Sequence, residues 1–95
     1  MEARARVELL RAAEAGAAGR LEEARAGFAR GLARAPLSPS VQRSAAYLRI
    51  RSGVDPERAE EDVDRAIGLE ARRGDSSSPE SRRALAFVEA QRKRK

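Results

Sequence analysis

Between Gly19 and Pro36 the chain carries one complete amphipathic helix together with both of its boundaries, and this stretch constrains the fold more than any other. Leu21, Ala24, Phe28 and Leu32 recur at spacings of three and four, which places them on one face of a helix over about 21–34. Gly19 supplies the positive φ that stops whatever precedes it. Glu22 and Glu23 fall in the first turn and Arg30 and Arg34 in the last, the sense of charge that complements the helix dipole. Pro36 cannot continue the helix and closes it. The apolar face is narrow and rich in small residues, so its partner must be another closely approaching helix.

Three further boundaries share one grammar. Ser38-Pro39, Asp55-Pro56 and Ser78-Pro79 each set a capping side chain before a proline, whose missing N–H costs nothing at the first helical position. They predict helices over about 39–52, 56–73 and 79–93. Apolar residues agree: Val41, Ala45 and Leu48 in the first, Ala59, Val63, Ala66 and Ile67 in the second, Leu85, Phe87 and Val88 in the third. Another helix over 3–18 has Val7 and Leu10 as its stripe, with Leu9 beside them. Gly74–Ser78 reads as a flexible loop. Only 3% of the residues are aromatic and Thr is absent, which leaves little material for a sheet. The fold class is all-α: about five helices in antiparallel pairs within one domain, 1–95.

The chain has no Cys and no His, which removes disulfides, thiolate nucleophiles, the usual zinc ligand sets and imidazole acid–base chemistry. Phosphate-loop and dinucleotide patterns are missing as well. Glu57, Glu60 or Glu61, and Asp64 share a helix face, but no second cluster or nucleophile accompanies them, and the face reads as solvated. The expectation is a non-enzyme with no cofactor and no metal. No apolar run approaches the ~20 residues of a membrane span. With no signal-like run near Met1, the chain reads as cytoplasmic or nuclear.

Net charge is +5, unevenly placed. From Arg20 to Arg51 seven arginines face two acids, and from Asp55 to Asp64 six acids face one arginine. The blocks read either as solvated helix faces or as a basic groove for an acidic partner. The basic tail 91–95, Gln-Arg-Lys-Arg-Lys, allows three readings: an import signal with Arg82-Arg83 as its upstream half, a contact to nucleic acid or an anionic surface, or a solvated helix end favoured by the dipole.

The stretch 19–36 also repeats. Gly19, Ala24, Phe28 and Leu32 are answered by Gly53, Ala59, Val63 and Ile67, with Ala24 and Ala59 separated by 35 residues. That is close to the ~34-residue period of tetratricopeptide helix pairs. With the turn Gly19, the small Ala24, the aromatic Phe28, the pair Gly31-Leu32 and the terminal Pro36, the chain resembles a small tetratricopeptide repeat (TPR) protein of two repeats and a capping helix. Ala45-Ala46-Tyr47 and Ala59–Ile67 supply the second pair, with an extra turn residue and no terminating proline. The first helix departs most, having Ala12, Ala13 and Ala15 where a bulky residue and Gly are usual.

The resemblance implies a non-catalytic module, adaptor or co-chaperone-like, whose concave face holds a protein partner or an acidic peptide segment. By the same resemblance that face is lined by Arg6, Arg11, Gln42, Arg43, Arg49, Arg82 and Arg83. The family's carboxylate clamp is mostly missing: the first-pair Asn falls on Ala12 or Ala13, Gln42 stands at the second, and Arg82 and Arg83 alone could serve at the third. Apolar partner packing is the other route. So short an array predicts reliance on a partner or on self-association. A rival reading is a small basic helical nucleic-acid-binding protein, motivated by the arginines and the tail. The lack of aromatics for base stacking argues against it.

Overall fold

The computed structural model describes residues 2–74 and 76–93. Five α-helices follow in order: α1 (Glu2–Ala17), α2 (Leu21–Arg34), α3 (Pro39–Ser52), α4 (Ala59–Arg72) and α5 (Pro79–Lys93), with a 3₁₀ turn at Pro56–Arg58 and no strand among the described residues. Asp75 of the expected loop and Arg94 and Lys95 of the basic tail lie outside the described residues. Gln91, Arg92 and Lys93 form the last turn of α5.

Two of the three proline boundaries form as expected. Ser38 Oγ accepts from the Val41 N–H at 3.2 Å and Ser78 Oγ from the Ser81 N–H at 3.1 Å. The third differs. Asp55 sits at φ 46°, and its carboxylate accepts from Arg25 on α2 at 3.1–3.3 Å instead of from its own backbone. A carboxylate turned toward a distant guanidinium cannot cap its own helix, so one 3₁₀ turn intervenes and α4 begins at Ala59 instead of Pro56.

The buried faces of α1 and α2 also differ from the expected stripes. Leu21 is 42% exposed, and α2 buries Ala24, Gly27, Phe28 and Gly31. On α1, Val7 and Leu10 face outward while Ala5, Leu9, Ala12 and Ala15 are buried. The cause is close approach. A methyl group on Gly31 would stand 2.8 Å from Leu9 Cδ2, and one on Gly27 2.8 Å from Ala12 Cβ, well inside the ~3.5 Å of ordinary carbon contact. Where backbones come so near, small residues hold the interface and larger ones are left outside.

Helix α1 packs on α2 and α3, α3 on α4 and α5, and α4 on α5. The helices α1, α3 and α5 thus form a row, with α2 and α4 against it. The Cα trace spans 39 × 34 × 14 Å. Its smallest extent matches two helix layers, ~9–10 Å between axes plus a ~2.3 Å Cα radius on each side.

Two apolar clusters fill the slab. One joins α1, α2 and α3 through Leu9, Ala12, Ala24, Phe28, Val41 and Ala45, and takes in Val54 from the turn after α3. The other joins α3, α4 and α5 through Ala46, Ala59, Val63, Ala84 and Val88, with Tyr47 and Ile67 at its margin. Ala24 and Ala59 are fully buried near the starts of their helices, Phe28 and Val63 are buried one turn later, and Leu32 and Ile67 are half-buried after that. The internal echo is therefore matched in burial.

A polar seam runs between the clusters. Arg49 donates to Asp62 at 2.7 Å and lies over the Phe28 ring, 4.8 Å from its centroid. Asp62 also accepts from Arg65, which donates to Gln42 Oε1 at 3.0 Å, and Gln42 Nε2 donates to the Pro36 carbonyl at 3.4 Å. A second seam fixes α5: Arg43 donates to Glu70 and to Ser81 Oγ, both at 3.1 Å, and Glu70 accepts from the Ser78 N–H. No buried side-chain N or O lacks a partner among the described residues.

Two sets of substitutions test this packing. Ala24→Glu places a charge in the α1–α2 contact and should abolish the cooperative melt. Glu60→Ala, which loses only a surface pair with Arg92, should cost about 0–1 kcal/mol. Asp62→Ala strands Arg49 and should cost about 3–5 kcal/mol in urea unfolding. The double change Asp62→Leu, Arg49→Met should recover most of that loss, and a double mutant as unstable as Asp62→Ala would show that the cost lies in losing the pair's own fit and not in leaving Arg49 unpaired.

Candidate interaction surface

Burial divides the seven arginine and glutamine positions expected to line a binding face. Gln42 and Arg49 are buried, at 2% and 4% exposure, and their polar atoms belong to the seam. They sit on α3 but point between the helix layers, because Asp62 on α4 and the Pro36 carbonyl lie there. Both are corrected from surface to interior.

The remaining five fall in three places. Arg6 on α1 donates to Ser40 Oγ on α3. Ser40, Arg43, Ser44 and Tyr47 of α3 and Glu80 and Arg83 of α5 enclose a shallow depression of about 250 Å³. Arg6, Arg43 and Arg83 are thus on one face of the α1–α3–α5 row. Arg43 is held by Glu70 and Ser81 and keeps 17% side-chain exposure, so Arg83 is its freer cation. Arg11 lies instead beside α2, with Arg20, Glu23 and Arg30. Arg82 borders the α4–α5 loop with Glu70 and Ser76–Ser78.

Tyr47 supplies an aromatic wall to the depression. Its ring packs on Phe87 at 5.0 Å between centroids, tilted by 44°. The depression presents the Ser40 and Ser44 hydroxyls, one aromatic edge, the guanidinium groups of Arg43 and Arg83 and the carboxylate of Glu80, with Arg43 already bonded to Glu70. A larger hollow of about 390 Å³ lies at the other end of α3 and α5, between Ile50, Pro56 and Val88, with Glu57, Glu60 and Arg92 at its rim. No group of three or more acidic, His or Cys side chains converges as a metal site among the described residues. No helix among them is long and apolar enough to cross a membrane.

Sequence reasoning missed Asp62. It stands in a run of six acids and carries no local mark of being the one turned inward. Only the helical phase shared with Ala59, Val63 and Ala66 could have singled it out.

The carboxyls are tuned in opposite senses. Hydrogen bonds from Arg30 to Glu8 and from Arg25 to Asp55 hold both carboxyls below their ordinary range. For Glu70 burial pulls upward, but hydrogen bonds from Ser78 and Ser81 and the charge of Arg43 outweigh it, and the net shift is downward. For Asp62 burial prevails over Arg49 and Arg65 and pushes the carboxyl up. A lowered folded pKa contributes stability that is present above the unfolded value, ~4, and lost as pH falls through the folded one. Asp62 acts in reverse, contributing below its unfolded value and losing that contribution as pH rises through its folded one. Glu8, Asp55 and Glu70 therefore each act to make the melting temperature fall on acidification below about pH 4, and Asp62 opposes them. Asp55→Asn should flatten that fall, and a slope unchanged in the variant would remove Asp55 from the account.

Compared with known proteins, the chain matches no family model, no curated protein and no solved structure.

Proposed function

We propose that the chain is a non-catalytic protein-interaction module, two tetratricopeptide-like helix pairs and a capping helix, that binds a protein partner through an acidic segment. The observation that carries this reading is the depression on the α1–α3–α5 row, where Arg83, the cation there not held by Glu70, stands with Tyr47 and two serines and Glu80 is the one acid of the lining. The matched burial of the two halves supports the repeat part of the reading, and the polar outer side of α5 supports its role as a cap. A clamp for a terminal carboxylate has little support, because Gln42 is buried and Arg82 borders a different hollow from Arg83.

A protein partner fits the charge better than nucleic acid does. Arg20, Arg25, Arg30, Arg43, Arg49, Arg65 and Arg92 are each paired with a carboxylate of the same chain, which shortens the free basic surface a polyanion would need. A cytoplasmic or nuclear setting accords with this reading, the basic end of α5 serving for import in the second case.

Affinity capture with the intact chain beside two single variants tests the proposal. Arg83→Glu should lose a prey protein that Arg82→Glu retains, with circular dichroism unchanged in both. Equal retention by all three would remove the depression as the binding face. Generic RNA or DNA retained by the intact chain at moderate salt would favour the nucleic-acid reading instead.

A further inference from the structure

The row of helices ends differently at its two edges. On α5 the outer surface is polar, with Arg82, Glu89 and Lys93 exposed around small alanines. On α1 the side opposite the core carries Ala3, Val7 and Leu10 at spacings of four and three, with Val7 45% and Leu10 53% exposed. At ~100° per residue these three share one face, turned away from the buried Leu9 and Ala12.

That apolar face has a basic border on one side. Arg4 and Arg11 flank it toward α2, and Arg34 at the end of α2 joins them around a shallow hollow of about 330 Å³ shared with Ala3 and Val7. The one acid there, Glu8, is already bonded to Arg30 at 2.7 Å. Among the described residues Arg4, Arg11 and Arg34 enter no ion pair.

We propose that this outer face of α1 docks an amphipathic acidic helix of a partner protein, with its apolar stripe over Val7 and Leu10 and its carboxylates against Arg4, Arg11 and Arg34. The charges select the occupant. A second copy meeting face to face would set Arg4 and Arg11 against their own equivalents, and one meeting head to tail would set them against the outer side of α5, where Arg82 and Lys93 outnumber Glu89. A helix matches the spacing of the stripe, since apolar residues three and four apart interleave with Val7 and Leu10. Glu14, next along the stripe, ends the apolar area and rejects an acid at that point, which fixes the register. The proposal extends the interaction-module reading to a second surface that uses none of the α3–α5 depression.

The test uses the whole chain and a labelled amphipathic peptide of about three heptads, with Leu at the seam and Glu on the flanks, beside a version with Lys for Glu. The Glu peptide should bind at least about ten-fold more tightly than the Lys peptide. Leu10→Glu, and separately Arg4→Glu with Arg11→Glu, should each weaken it by about ten-fold or more with helicity retained, while Arg83→Glu leaves it unchanged. Equal binding of the two peptides, or indifference to Leu10→Glu, overturns the proposal. Loss on Arg83→Glu alone overturns it while sparing the other face. A dimer in sedimentation that Leu10→Glu dissolves overturns it in favour of a second copy, and Leu10-dependent binding to phosphatidylserine vesicles overturns it in favour of a membrane surface.

Discussion

The buried pair of Arg49 and Asp62 is the constraint on which the two halves of the slab depend. Neither charge can be removed from water alone at acceptable cost, so α3 and α4 must meet in the one register that joins them. Arg49 also lies on Phe28, the largest side chain of the first cluster, so a contact made for charge reasons in one half sets the packing of the other. Gln42 and Arg65 complete the arrangement by satisfying the remaining polar groups up to the Pro36 carbonyl. Apolar burial alone, supplied largely by alanine and valine, would tolerate several sliding arrangements. The charged seam does not.

The same economy explains the alternating charge blocks. The basic stretch from Arg20 to Arg51 and the acidic stretch from Asp55 to Asp64 are adjacent in sequence and meet in space: Arg25 reaches Asp55 and Arg49 reaches Asp62. What looks like two opposed surfaces in one dimension is largely an internal neutralisation in three. Among the described arginines that enter no ion pair, Arg4, Arg11 and Arg34 gather at the α1 edge and Arg82 and Arg83 on α5, while Arg51, Arg58, Arg72 and Arg73 lie singly or in pairs at the ends of α3 and α4.

Much of the fold was legible in the chain because its boundaries are made by local chemistry. Ser38 and Ser78 cap their own helices, and Gly19 and Gly53 take the positive φ that ends theirs, so neighbours in sequence suffice to find them. Asp55 has the same local chemistry, but a partner 30 residues away claims its carboxylate. The stripes misled for a related reason. Leu21, Val7 and Leu10 are the larger apolar residues, yet the approach of α1 to α2 is set by Gly27 and Gly31, whose importance lies in what they lack. On the candidate face, Arg43 and Arg83 were reachable by helical phase, whereas the inward turn of Gln42 and Arg49 depends on Asp62 and Pro36 from other segments. Side-chain direction on a helix with neighbours on both sides, as α3 has, is not a one-dimensional property.

The position of α3 also bears on how the chain can be made. Synthesis from the amino terminus delivers α1, α2 and α3 before α4, so the first cluster can assemble while Arg49 already stands beside Phe28 with its counter-charge 13 residues further along the chain and not yet available. Until Asp62 arrives, that nascent three-helix unit carries a guanidinium that must keep its water. The first half can collapse early, but it cannot dehydrate its own boundary, and final closure waits on the segment that follows.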